Sequence, residues 1–90
     1  MGVIRLTGRM TCADHEIDIA RAALPEHIRL SRAEPGCLSF DVTETAPGVF
    51  TVTESFAGRA AFDAHQNRTR ASDWWRVTGH MPRTFTMSEE

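Results

Sequence analysis

The sequence predicts an α+β sandwich: one antiparallel four-stranded sheet with helices packed on a single face. Three observations predict it. Four stretches, 3–10, 37–44, 49–56 and 82–88, alternate apolar and polar side chains with the period of a strand. The stretch after "TCAD", through about Ala33, spaces its apolar residues three or four apart as a helix does, and 58–79 reads as a second helix with a possible break. Turn residues join the second strand directly to the third. The order is therefore strand, helix, strand, strand, helix, strand.

Each element has its own local reason. "VIRLTGRM" (3–10) puts Ile4, Leu6 and Met10 on one face and Arg5, Thr7 and Arg9 on the other. "TCAD" offers Thr11 as a helix N-cap with Asp14 three residues on. The helix that follows carries Ile17, Ala20, Leu24 and Ile28 on one stripe. Pro25 lies inside it and removes the hydrogen bond to the carbonyl of Arg21, which predicts a kink or break. "EPGC" (34–37) stops the helix, because Glu34 precedes a proline and Gly36 can turn left-handed.

"CLSFDVTE" (37–44) then points Leu38, Phe40 and Val42 inward, "TAPG" (45–48) turns, and "VFTVTESF" (49–56) returns with Phe50, Val52, Glu54 and Phe56 on the inner face. "RAAFDAHQN" is helical, with a break before "RASDWWRVTG" (70–79). "PRTFTMS" (82–88) closes the sheet with Phe85 and Met87 on one side, leaving the tail "SEE" frayed. Right-handed crossovers make this order the split βαβ, or ferredoxin-like, sandwich. The odd-numbered rows, rich in Thr, Ser, Arg and Asp, form a polar second face.

The totals narrow the class. Ninety residues make one domain, spanning 1–90. A hydrophobic content of 41% with 24% charged residues is that of a globular chain, and no apolar run is long enough to cross a bilayer. No secretory pattern opens the chain, so a cytoplasmic location is expected. A net charge of −2, with no densely basic window, argues against a nucleic-acid partner. Cys12 and Cys37 lack metal-ligand spacing and fall at opposite ends of the sheet, so two free thiols and no metal are expected.

Glu54 is the residue that breaks the apolar row. A buried, unpaired carboxylate costs several kcal/mol, so it needs a partner or the rim. His65 lies seven residues past Gly58, roughly 10 Å along the helix at about 1.5 Å per residue. Glu54 lies two residues before Phe56, roughly 7 Å back along the strand. The helix runs back over the strand, so the two side chains reach similar depth. His27, roughly 9 Å above the end of the first helix, shares a face with Ala20, Leu24 and Ser31 and reaches the same level. Adjacent Trp74 and Trp75 point about 100° apart, so one can be core while the other faces a cleft. His15 and His80 read as surface residues.

"SRAEPGCLSFDV" (31–42) followed by "VTESFAGRAAFDAHQ" (52–66) resembles the antibiotic biosynthesis monooxygenase domain family over about residues 3 to 87. The resemblance implies a homodimer whose sheets face each other as a dimeric α+β barrel, which would use the polar face. It also implies oxidation of a phenol or quinol by O2 without metal, flavin or other cofactor. Glu54, His65 and Glu34 to Cys37 match family positions, Trp74 matches loosely, and Asn67 lies near the place of a pocket asparagine. Residues 3–10 hold no asparagine, which argues against the haem-degrading branch.

On this reading His65 is the base, Glu54 the carboxylate that orients it, and His27, Trp74, Phe40, Phe62 and Asn67 the substrate-binding set. Two alternatives stand beside it: a non-catalytic dimeric module that binds a small aromatic molecule, and an isomerase or lyase using the same base.

Overall fold

The structure is a computed structural model and describes residues 2–90. Strands β1 (Ile4–Thr11), β2 (Cys37–Ala46), β3 (Val49–Phe56) and β4 (Arg83–Glu89) form one antiparallel sheet in the order β2-β3-β1-β4. Helices α1 (Ile17–Arg32), α2 (Arg59–Arg70) and α3 (Asp73–Thr78) cover one of its faces. This is the ferredoxin-like arrangement that the element order implies.

Register sets which side chains meet beneath the helices. Across β1 and β3, Ile4 lies opposite Phe56, Leu6 opposite Glu54 and Met10 opposite Phe50. The core divides into two clusters along the sheet. Met10, Ala20, Phe50, Trp74 and Met81 pack at one end, and Ile4, Leu6 and Phe56 at the other, where Cys37, Ala61 and Phe62 lean on them. The gap between these clusters is where the site lies.

Four expectations change. Leu38 is 59% exposed, because the β2–β3 register slips between Cys37 and Ser39 and makes Leu38 a bulge residue. The strand enters its inward row with Cys37, skips Leu38, and resumes at Phe40. Thr11 does not cap a helix; it ends β1, its amide donating to the Pro82 carbonyl at 3.0 Å. A 3-10 turn, Asp14–Glu16, leads into α1 instead, and Glu16 reaches back to accept from the Ala13 amide at 3.3 Å.

α1 runs unbroken through Pro25, whose exposed ring leaves the unpaired Arg21 carbonyl on the solvent side of the helix. The tail also stays attached. Glu89 pairs with Ile4, the Glu90 amide donates to the Val3 carbonyl at 3.0 Å, and Arg5 holds the Glu90 carboxylate at 2.6 Å.

The break between the last two helices falls at Ala71–Ser72, where Ser72 caps α3 by accepting from the Trp75 amide at 3.3 Å. Pro47 and Gly48 make the hairpin turn, with Gly48 at φ 78°. Cys12 and Cys37 are free thiols. No helix among the described residues is long and apolar enough to cross a membrane.

The bulge and the core make opposite predictions for two apolar residues of neighbouring strands. Phe56→Ala, which empties a fully buried position, is expected to cost about 3–5 kcal/mol. Leu38→Ala is expected to stay within about 0.5 kcal/mol of the parent. Urea unfolding of both variants measures the contrast; a large loss for Leu38→Ala would put that side chain back in the core.

Candidate active site

Two short motifs fit against one another at the sheet end where α1 stops and α2 begins. Pro35 ends the helical run, and Gly36, at φ 84°, turns the chain into β2. A Cβ on Gly36 would stand 2.6 Å from the Cβ of Ala61, so glycine is also what lets this turn lie against α2. The Ala57 amide closes the contact by donating to the Gly36 carbonyl at 2.8 Å. Glu34 is thereby delivered beneath α2, one turn along from Ala61, where His65 projects inward.

The Glu34 carboxylate lies 2.8 Å from Nδ1 of His65 and also contacts the Arg68 guanidinium through Nε. Arg68 donates from Nη2 to Ser31 Oγ at 2.9 Å, tying the last turn of α1 to α2. A carboxylate accepts only, so Nδ1 carries the imidazole proton and Nε2 keeps its lone pair. Around Nε2 stand Thr69 Oγ1 at 3.4 Å and Glu54 Oε1 at 3.6 Å. His65 is 3% exposed, and its ring packs on Phe56 and Phe40 at 4.8 and 5.5 Å between centroids. Burial lowers its pKa, the Glu34 charge and hydrogen bond oppose that, and Arg68 adds to the lowering. His65 is the neutral base form at neutral pH.

Glu54 is 7% exposed, flanked on the sheet by Leu6 and Phe40. It makes no hydrogen bond to any described residue. Burial, reinforced by the nearby Glu34 charge, pushes its pKa up to about 7. Glu34, and not Glu54, is thus the group that orients His65; Glu54 faces the opposite nitrogen.

His65, Glu54 and Thr69 line a cavity of about 210 Å³ between α1, α2, α3 and the sheet. Its inner wall is aromatic. His27 stacks on Trp74 with centroids 5.0 Å apart and planes 6° from parallel, meets Phe40 edge-on at 5.3 Å, and faces His65 at 6.1 Å. Nδ1 of His27 is buried without a partner among the described residues, and burial, with the positive charge of Arg68 next, lowers the His27 pKa to about 3. His27 therefore stays neutral. The rim is more exposed and is built from Gln66, Arg70, Trp75 and Phe85.

A sequence profile of the antibiotic biosynthesis monooxygenase family matches residues 4–77. The chain belongs to that family. Among solved structures it is similar to Rv0793 from Mycobacterium tuberculosis, with 26% identity, 96% of this chain and 92% of that one covered, and a TM-score of 0.78. It also matches a structure described as a putative antibiotic biosynthesis monooxygenase from Nitrosomonas europaea, at 20% identity, 100% and 92% coverage, and a TM-score of 0.86. A third, similarly described, comes from Deinococcus radiodurans, at 24% identity, 97% and 91% coverage, and a TM-score of 0.78. The last two likenesses concern the fold. No curated protein matches the chain.

Within this monooxygenase-family fold, His65, Glu54, His27, Trp74 and Phe40 come together around the cavity. Phe62 and Asn67 do not. Phe62 turns onto Phe56, 5.8 Å away, and joins the cluster with Ile4 and Leu6. Asn67 is exposed, because two residues past His65 a helix has turned by about 200°. Gln66 and Thr69 take the lining positions on α2 instead.

The other groups that sequence reasoning missed are the Glu34 and Arg68 roles, together with Arg70 and Arg83. Signals existed for three of them. Glu34 opens the E-P-G-C motif, Arg68 lies three residues past His65, and Arg83 shares the inward parity of Phe85 and Met87.

Glu54 gives the site a measurable pH signature. Its folded pKa lies above its ordinary 4.5, so its contribution to stability is complete below 4.5 and is lost as pH rises through about 7. The gap corresponds to roughly 3 kcal/mol. Glu54→Gln, a neutral mimic of the protonated acid, is expected to be more stable than the parent by up to roughly that amount at about pH 8, and equal to it at about pH 4. Thermal melts of both proteins across this range measure the difference; a constant offset would mean that Glu54 ionises normally.

Proposed function

We propose that the protein is a cofactor-independent monooxygenase that oxidises a small aromatic phenol or quinol with O2. One observation carries the reading. His65 presents an unprotonated Nε2, fixed in that tautomer by Glu34, inside an aromatic-walled cavity. Such a group removes the proton of a phenol, and a phenolate is electron-rich enough to reduce O2 itself. For a phenol with a free ring C–H the reaction balances without any further reductant. The O–H and the C–H become two carbonyls, one oxygen atom of O2 enters the ring and the other leaves as water. The substrate supplies all four electrons.

Each residue has a separate part in this reaction. His65 takes the phenolic proton. Arg68 and Glu34 hold the imidazole, and Glu34 offsets the charge that His65 acquires. Trp74, His27 and Phe40 hold the ring system in a place from which water is largely displaced. The cavity-facing Glu54 ionises through about pH 7, and its carboxylate then stands 3.6 Å from Nε2, where it stabilises the imidazolium formed by proton transfer.

Oxygen uptake with a panel of anthrols, naphthols and reduced quinones tests the reading. The parent is expected to exceed the spontaneous rate, to gain rate as pH rises through about 7, and to lose at least about a hundredfold on His65→Ala. Glu54→Gln should flatten the pH profile. Equal activity in His65→Ala would end the assignment of the base, and no uptake across the panel would favour a module that binds without turnover.

A further inference from the structure

Arg83 uses its guanidinium differently from Arg21 and Arg29. Arg21 and Arg29 use the edge formed by Nε and Nη2 to hold carboxylates: Glu44 at 2.7 and 2.8 Å, and Glu26 at 2.7 and 2.5 Å. In Arg83 it is the Nη1–Nη2 end that is occupied. Nη1 donates to the Thr78 carbonyl at 2.7 Å and to the Met81 carbonyl at 3.1 Å, and Nη2 donates to Thr78 Oγ1 at 2.7 Å. The face of the guanidinium lies over the Trp75 ring, 4.8 Å from its centre. These contacts fix the group in place and leave Nε–H and the second N–H of Nη2 without a partner among the described residues.

No carboxylate among the described residues pairs with Arg83, although it is only partly exposed and lines the cavity. Its charge is felt within, since Arg83 is among the causes that keep His27 neutral. Burial lowers the Arg83 pKa, which is the mark of a cation without compensation. Arg70, at the rim of the same cavity, also lacks a carboxylate partner among the described residues. Glu54 lines the cavity and is hydrogen-bonded to no cation among the described residues, while Glu34, behind His65, is engaged by Arg68 and His65. The cavity thus has a base at its inner end and an unmatched, pre-oriented cation elsewhere in its wall.

We propose that the Nε–Nη2 edge of Arg83, assisted by Arg70, receives the carboxylate of an aromatic substrate whose hydroxyl reaches His65. The substrate class is then a phenolic or quinolic acid. A planar guanidinium suits this role because it binds a carboxylate through two parallel hydrogen bonds, and the cost of orienting it has already been met within the fold. The proposal rests on the reading of His65 as the group that meets the hydroxyl.

Isothermal titration calorimetry of the full chain with a monohydroxynaphthoic acid, its methyl ester and the parent naphthol tests it. The acid is expected to bind about tenfold more tightly than the ester, with the preference shrinking in salt. Arg83→Gln should bring the acid-to-ester ratio close to one. Because Arg83 also ties the end of α3, Arg83→Lys serves as a second variant: it keeps the charge, loses the fork, and should fall between. Arg70→Gln, at a side chain that makes no hydrogen bond to any described residue, should lower the ratio about two- to threefold.

A parent ratio near one, binding of none of the three ligands, or a full preference retained in both Arg83 variants would overturn the proposal. Oxygen uptake is read separately. Acid-selective binding without uptake would leave this subsite standing and remove the oxygenase reading, while uptake with naphthol and acid alike at equal affinity would do the reverse.

Discussion

The hydrogen bond from His65 to Glu34 joins the two halves of the fold and defines the chemistry of the cavity at once. It spans 2.8 Å between the turn after α1 and the middle of α2, and Arg68 locks it from the other side while reaching Ser31 on α1. Without Arg68 the Glu34 carboxylate would stand beneath a helix with its charge poorly compensated, and without Glu34 the imidazole would be free to take either tautomer. The conformation of the turn follows from the same requirement. Pro35 stops α1, Gly36 supplies the left-handed step, and the missing Cβ at Gly36 lets Ala61 approach.

Around that bond the protein keeps a set of groups that would not be chosen for stability. Glu54 is buried between Leu6 and Phe40 with no hydrogen bond to any described residue, at a cost that appears as a pKa raised to about 7. His27 is stacked on Trp74 with a nitrogen left unsatisfied. Buried polar groups in folded proteins are ordinarily paired, so their concentration here marks the site as something other than core packing. The two apolar clusters on either side hold the sheet and helices together and leave the gap open.

The periods of the sequence made the sandwich legible because strands repeat every two residues and helices every three to four. The approach of Glu54 to His65 was legible for the same reason, as a matter of rise per residue along two elements. What one residue can upset was not legible. The bulge at Leu38 inserts a single position, which reverses parity locally and expels a side chain that the alternation assigns to the core. Thr11 carries the chemistry of a helix cap but lies where β1 still has a partner, and strand pairing wins.

The pairing of carboxylates with His65 was hidden too, since Glu34 follows a helix end and its direction depends on how the turn folds. The helical phase set by His65 points to Gln66 and Thr69 and away from Asn67, which entered only through resemblance. Pro25 shows the reverse lesson. A residue that disrupts an isolated helix is accommodated when its ring faces water and the buried stripe on the other side stays intact.

The tautomer of His65 is the claim on which the site's chemistry depends, and long-range proton–nitrogen correlation spectra of ¹⁵N-labelled protein read it directly. At neutral pH the expected pattern is a protonated, pyrrole-like Nδ1 and an unprotonated, pyridine-like Nε2 for His65, lost in Glu34→Gln. An Nε2-protonated ring, or an imidazolium at that pH, would contradict it.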